Sequence, residues 1–443
     1  MVYYPDWVAG YFPPEKVDFG RIDWVDFAFA TPKQDLSLGW DGADDAPQIL
    51  DRLVKAAHQR GKKVKLSVGG WTGSKYFSPA VATAQSRQTF VSNILALYQQ
   101  HSLDGIDIDW EYPGQAGAGN NVVDKNDSQN FLAFLQLLRS RLPAVARISA
   151  AAQTVPFVDQ SGKPITDARA FAKVLDWVLM MNYDVWGASS TPGPNAPLSN
   201  ACHNSTQPDA SAEAAIGAWT SAGFPANKLV LGLPAYGYVS RSTATHLRQR
   251  DFPPTFFPAM ASNSSVQTSS AASSSSAPTT ASFSSSSAIA TMASSTLAPS
   301  PSTSSPSPSQ TPFPSNGTGA FPGSNTTFHE APTKQAVNLT TTDGPQIQFR
   351  DLVRQGALCA SQGGKGYVGC GGFVRYWDAC SSSPWLRSAS AGQIVTYDDA
   401  ESLGLKAGLV KQKGVLGVNV FDVSGDTDQW DLVDAIRKGL GVR

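Results

Sequence analysis

Histidine is scarce in this chain, with 5 in 443 residues, and cysteine scarcer, with 4. So few imidazoles and thiols leave little for a nitrogen- or sulfur-rich metal centre. A hard cation would need carboxylate clusters, and the sequence has no second acidic group as dense as that at residues 104–111; no metal and no cofactor are expected. Charge is also thin. Charged residues make up 16% and the formal net charge is −1, so nothing suggests a nucleic-acid or anionic-membrane partner. No run of about 18 apolar residues is present, so no spanning helix is expected. Nor does a signal-like leader precede the first strand pattern, Val2-Tyr3-Tyr4-Pro5-Asp6-Trp7,.

Other features point out of the cytosol. Cys202, Cys359, Cys370 and Cys380 are even in number, and three of them cluster as a disulfide framework does,. Asn126, Asn204, Asn263, Asn316, Asn325 and Asn338 each head an N-x-Ser/Thr sequon,. The expected setting is extracellular or cell-wall-associated, with the targeting segment missing from this chain.

The most informative stretch is Leu103-Asp104-Gly105-Ile106-Asp107-Ile108-Asp109-Trp110-Glu111-Tyr112-Pro113. Strand side chains alternate faces, so Asp107, Asp109 and Glu111 share one side and Ile106, Ile108 and Trp110 the other. An apolar outside and an acidic inside suit a strand of a parallel α/β barrel, whose chemistry gathers at the C-terminal strand ends. Acids spaced roughly 6.5 Å apart along a strand raise one another's pKa where water is excluded. A carboxyl kept protonated near neutral pH can act as a general acid.

Along the chain, apolar strand-like runs alternate with helical patterns, the mark of repeated βα units. Strands are expected at residues 2–7, 22–30, 63–70, 103–111, 147–153, 177–184, 229–234 and 416–421. Residues 24–30 read as apolar on both faces, as in a buried parallel strand. Helices are expected at 46–60, 90–100, 128–142, 213–222 and 428–440, the last capped by Asp426 or Thr427. Eight such strands make a (β/α)8 TIM barrel. Residues 258–332 break the pattern, being Ser, Thr, Ala and Pro with few large apolar side chains. Such a segment cannot bury a core and is expected to be a disordered or stalk-like insertion between strands seven and eight. The barrel is thus expected in two parts, 1–257 and 333–443, the second holding strand eight and a reduced α+β insertion at 349–385.

The acidic stretch resembles the D-x-x-D-x-D-x-E signature of glycoside hydrolase family 18, matched by Asp104, Asp107, Asp109 and Glu111. Ser67-Val68-Gly69-Gly70 resembles that family's S-x-G-G, Met181-Asn182-Tyr183-Asp184 its M-x-Y-D, and Thr396-Tyr397-Asp398-Asp399 a segment preceding its last strand. The resemblance covers nearly the whole chain outside the Ser/Thr segment. It implies a chitinase that hydrolyses β-1,4-linked N-acetylglucosamine polymers with retention, the substrate's own acetamido group acting as nucleophile through an oxazolinium ion, an exception to the two-carboxylate scheme. Carried over by position, Glu111 becomes the general acid, Asp109 the group that orients the acetamido, and Asp107 the acid that shares the proton of Asp109. Tyr183 becomes a hydrogen-bond donor to the acetamido. Tyr3, Phe29, Gly70, Trp71, Tyr112, Met181, Asp184, Tyr236 and Phe421 become substrate-binding residues. Trp186 and Trp377 are further candidates for stacking on sugar faces, whereas Trp110 is expected to pack outward on a helix.

The implied partners are chitin or N-acetylglucosamine oligomers, and a monomer is expected. Two departures stand out. Phe421 occupies the position where many members have a tryptophan, and the Ser/Thr segment takes up much of the interval where many carry a groove-deepening insertion. An endo-β-N-acetylglucosaminidase acting on N-glycans and a non-catalytic, lectin-like chitin binder remain as alternative readings.

Overall fold

Eight short runs of alternating side chains pair in parallel and close on themselves, because each has one face that fits a packed interior and another that fits a helix. They are β1 (Val2–Pro5), β2 (Trp24–Pro32), β3 (Lys63–Gly69), β4 (Gly105–Asp109), β5 (Arg147–Ala152), β6 (Trp177–Met180), β7 (Leu229–Pro234) and β8 (Gly417–Phe421). Each pairs with the next in sequence, and β1 pairs with both β2 and β8, which closes the (β/α)8 barrel. The computed structural model describes residues 1–40, 42–247, 337–342, 344–361 and 366–442. The Ser/Thr-rich segment expected at 258–332 and the sequons at Asn263, Asn316 and Asn325 lie outside the described residues.

Alternation along the strands sorts the core into two clusters. Val25, Phe27, Leu66, Val68, Ile106, Ile108, Ile148, Val178, Leu231 and Val420 join the layer between strands and helices. Tyr3, Ala28, Ala151, Trp177, Leu179 and Val230 belong to a separate inner cluster. The outer layer is fed by helices such as Ala46–His58, whose Ile49, Leu50, Leu53, Val54 and Ala57 are buried on one stripe. Trp110 packs outward as expected, stacked on Phe77 at 5.2 Å and edge-on to Phe131 at 5.5 Å. Burying one such ring contributes about 2–3 kcal/mol, and here it also anchors the chain just before Glu111.

Several expected elements differ in detail. β2 is not apolar on both faces: Asp26 is buried and meets Lys65 of β3 inside the barrel at 3.0 Å. β4 ends at Asp109 and β6 at Met180, so Glu111, Tyr183 and Asp184 stand on the loops that follow, where pairing no longer fixes the backbone. The last helix is Asp431–Leu440, later than expected. Its N-cap is Trp430, not Asp426 or Thr427, and Asp426 serves the helix start from further back, its carboxylate accepting from Leu432 and Val433 N–H.

The segment after β7 carries a sheet of its own. Tyr236–Arg241, Gln346–Gln348, Val374–Asp378, Ser383–Ser388 and Gln393–Thr396 form a five-stranded antiparallel sheet. Helix Phe349–Arg354 and a small hairpin of Leu358–Ala360 with Tyr367–Gly369 accompany it. Asp399, from the motif at 396–399, caps helix Ala400–Gln412 with a capping box, and Asp398 forms a buried ion pair with Lys406. Among the described residues no helix is long and apolar enough to cross a membrane.

The cysteines pair as Cys202–Cys380, 178 residues apart, and Cys359–Cys370, 11 apart. Cross-links stabilise chiefly by restricting the unfolded chain, more so for longer loops. Replacing Cys202 and Cys380 by serine is therefore expected to lower unfolding free energy by roughly 2–3 kcal/mol more than replacing Cys359 and Cys370. Urea unfolding of both double variants checks this, and equal losses would contradict it.

Candidate active site

Register places the acids. Ser67 of β3 lies level with Asp107 of β4, which lies level with Ser149 of β5, so the two hydroxyls flank the carboxylate. Asp107 Oδ2 accepts from Ser67 Oγ at 2.8 Å and from Tyr3 OH at 3.0 Å, and Oδ1 accepts from Ser149 Oγ. One level up, Asp109 is 3% exposed and its Oδ1 has no hydrogen-bond partner. Burial first, then the neighbouring Glu111 and Asp107, raise the Asp109 carboxyl well above the usual range.

Glu111 sits at the rim and is partly exposed. Its backbone is pinned on both sides: N–H donates to Ser74 Oγ at 2.8 Å, and C=O accepts from Asn121 Nδ2 at 2.8 Å. The same Ser74 hydroxyl donates to Gly70 O at 2.8 Å, tying the end of β3 to the end of β4. Burial pushes the Glu111 carboxyl up to about 7, and the charge of Asp184 adds to it, while a hydrogen bond with Tyr112 acts the other way.

The paired glycines fit here because a side chain would not. A Cβ on Gly69, at φ +119°, would lie 2.1 Å from Asp109 O, and one on Gly70, at φ +83°, 3.0 Å from the Phe29 ring. Both φ values lie in the region that favours glycine.

The remaining expected site residues converge from several strands. Tyr3, Phe29, Tyr112, Met181, Tyr183 and Tyr236 form one buried cluster with Trp71 and Phe421 packed against it. The Phe421 ring lies 5.4 Å from Tyr3, 6.1 Å from Tyr183 and 6.2 Å from Tyr236. Asp184, at φ 57°, is held by two phenols: Tyr236 and Tyr238 hydroxyls each donate to its Oδ1 at 2.6 Å. Burial raises the Asp184 carboxyl, and these two bonds oppose the rise. Burial, with the nearby acids, lifts the phenols of Tyr3, Tyr112, Tyr183 and Tyr236 far above their ordinary value, so they stay protonated as donors.

Two tryptophans fall elsewhere. Trp186 is 1% exposed and offers no free face. Trp377 lies on the antiparallel strand Val374–Asp378 beside Arg375, 5.5 Å from its guanidinium, outside the aromatic cluster. Trp7 was missed: it is 48% exposed with its ring 6.2 Å from Phe29, and its place just after β1 was the available signal. Tyr238 and Ser74 were also missed, and no local pattern distinguishes them. Lys65 was detectable, since it precedes Ser67 by two and so shares its inward face.

A cavity of about 620 Å³ opens at the opposite end of the barrel, lined by strand starts such as Trp24, Arg147, Trp177 and Gly417. Barrel chemistry belongs to the C-terminal strand ends, where the acids are. Among the described residues no group of three or more His, Cys, Asp or Glu is arranged to hold a metal ion.

The arrangement therefore offers a titratable carboxyl at the rim, two buried acids beneath it, and an aromatic cluster with phenolic donors. Comparisons with known proteins bear on the family and the fold. Residues 1–426 match the model for glycosyl hydrolases family 18. A "chitinase-like effector" of Moniliophthora roreri is 33% identical over 444 residues, with 100% of this chain and 92% of that protein covered. Chitinase A1 of Niallia circulans is 27% identical, over 83% of this chain and 41% of its own length. The crystal structure of a chitinase from Rhizomucor miehei superimposes with a TM-score of 0.71 at 26% identity, covering 99% of each chain.

Removing the Asp184 charge is expected to lower the titration midpoint of Glu111 from about 7, yet leave it above 4.5 because burial is the larger cause. Carbon-13 NMR titration of the Glu111 carboxyl in wild type and Asp184→Asn checks this. An unmoved or rising midpoint would contradict it.

Proposed function

The chain belongs to the glycosyl hydrolases of family 18, and from that premise we propose that it hydrolyses β-1,4-linked N-acetylglucosamine oligomers and chitin with retention of configuration. The observation that carries the reading is the column of three acids on one face of the β4 segment, with Glu111 uppermost and its carboxyl held up at about 7. A carboxyl titrating near the working pH is suited to donate and then recover a proton. Glu111 protonates the glycosidic oxygen and later deprotonates the incoming water. Buried Asp109, with Oδ1 unpartnered, takes the N–H of the substrate's acetamido group and turns its carbonyl oxygen toward the anomeric carbon. The carbonyl oxygen forms the new bond as the glycosidic bond breaks.

Tyr183 donates to the same acetamido group, and Asp184, fixed by Tyr236 and Tyr238, binds the same sugar. Tyr3, Phe29, Trp71, Met181 and Phe421 line its pocket, with Gly70 and Tyr112 at the wall. No second carboxylate on the opposite side is needed, since the sugar supplies its own nucleophile. Two disulfides suit an oxidising, extracellular setting.

The Moniliophthora relative is named chitinase-like rather than chitinase, and a second reading is that the cleft of this chain captures chitin oligomers without turning them over. The presence of Glu111 favours hydrolysis, and one experiment separates the two. With N-acetylglucosamine oligomers of graded length, wild type is expected to release shorter products, whereas Glu111→Gln loses roughly 10²–10⁴-fold in kcat and keeps oligomer binding. Tight binding with no products from wild type would favour capture; unchanged turnover in the variant would reject the assignment.

The pH dependence follows from the same acid. Glu111 must hold its proton to donate it, so kcat/KM is expected to fall as pH rises through about 7,. Asp109→Asn should also depress kcat strongly. A profile flat from pH 6 to 9, or full activity in Asp109→Asn, would contradict this mechanism.

A further inference from the structure

The ammonium of Lys65 lies wholly inside the barrel, at 0% exposure, 3.0 Å from Asp26 Oδ1 and 3.7 Å from Asp107 Oδ1. It donates to Ser149 Oγ, which itself donates to Asp107 Oδ1, and it stands 4.3 Å from the centre of the Trp177 ring. The groups around it come from every neighbouring strand. Asp26 of β2 accepts from Asn419 of β8 at 2.7 Å, Asp107 of β4 accepts from Tyr3 of β1, and Asp109 stands above. The amino group of Met1 is a further charged group close enough to interact with Asp26 and Lys65.

A buried cation is costly unless its charge is matched. Asp26 alone would match Lys65, yet Asp107 is held against the same ammonium, so one cation serves two carboxylates. The arrangement has no obvious packing purpose, since an aliphatic side chain would fill the interior without that cost.

We propose that Lys65 is a positioning residue for the acid column: its ammonium is the counter-charge for the anion left on Asp107 when Asp109 turns toward the acetamido group and Glu111 with the proton the two aspartates share. One proton stays on Asp109, the negative charge stays on Asp107, and nothing else is transferred. Asp26 sets how much of the ammonium's field Asp107 receives. This role rests on the hydrolytic reading of the cleft.

The test is the pH profile of oligomer hydrolysis in wild type, Lys65→Met, Asp26→Asn and the double variant, with thermal melts to verify folding. Without the ammonium, the inner acids hold a proton to higher pH. The acidic limb of Lys65→Met is expected to move up by roughly one unit or more, with kcat at least roughly tenfold lower at neutral pH and KM little changed. Asp26→Asn, nearly the same shape, frees the ammonium for Asp107 and is expected to move that limb down. The double variant should return toward wild type. Opposite shifts at two touching residues are not what lost packing produces. Folded single variants whose profiles superimpose on wild type, or shift in the same direction, overturn the role of Lys65 alone; a wild type that hydrolyses no oligomer overturns the hydrolytic reading and this role with it.

Discussion

Three carboxyl groups at two-residue spacing, facing a barrel interior nearly closed to water, set the terms for the rest of the structure. Burial disfavours the charged forms of Asp109 and Glu111, and the charges of neighbouring acids add to the effect,. Acids whose pKa is raised by folding contribute full stability below their unfolded values and lose it as pH rises through the folded ones. At neutral pH and above, Asp109 and Glu111 thus oppose folding and must be held in place by the surrounding core. Structure and chemistry come from the same strain: the environment that makes these acids reluctant to ionise keeps a proton on the rim carboxyl.

The surroundings are graded from bottom to top. Asp107 is saturated by Tyr3, Ser67 and Ser149 and lies beside Lys65, so the deepest acid has the most support. Asp109, one level up, keeps an oxygen without a hydrogen-bond partner. Glu111 is held through its backbone by Ser74 and Asn121, and its carboxyl meets Tyr112 and feels the charge of Asp184. On the outer face of the same segment, Trp110 between Phe77 and Phe131 prevents the chain from rotating to relieve the crowding.

Much of this was legible in the sequence because the barrel's periodicities are local. The alternation at Ile106–Trp110 separated inside from outside, and β7 was read with its observed ends. The misreadings came where tertiary contacts override pattern. Asp26 was hidden in a run of apolar neighbours, because one acid among aromatics does not disturb a hydrophobic strand pattern; only its partner on β3, Lys65, explains it. Trp186 looked like a sugar platform, yet burial depends on how the loop after β6 folds, which no window of sequence reports. Ser74 and Tyr238 act through hydrogen bonds to residues 37 and 54 positions away, beyond the reach of any periodicity. The strands of the antiparallel sheet after β7 were not read one by one, because they are short and the Ser/Thr-rich stretch separates the first from the rest.

The central claim is that the sugar's acetamido oxygen, oriented by Asp109, is the nucleophile, and that Glu111 alone handles the departing and arriving protons. Proton NMR of a chitin oligomer recorded within the first turnovers, before mutarotation, tests it most directly. Newly formed reducing ends in the β configuration are the result this account predicts. Newly formed α ends would mean direct attack by water from the far side and would contradict it.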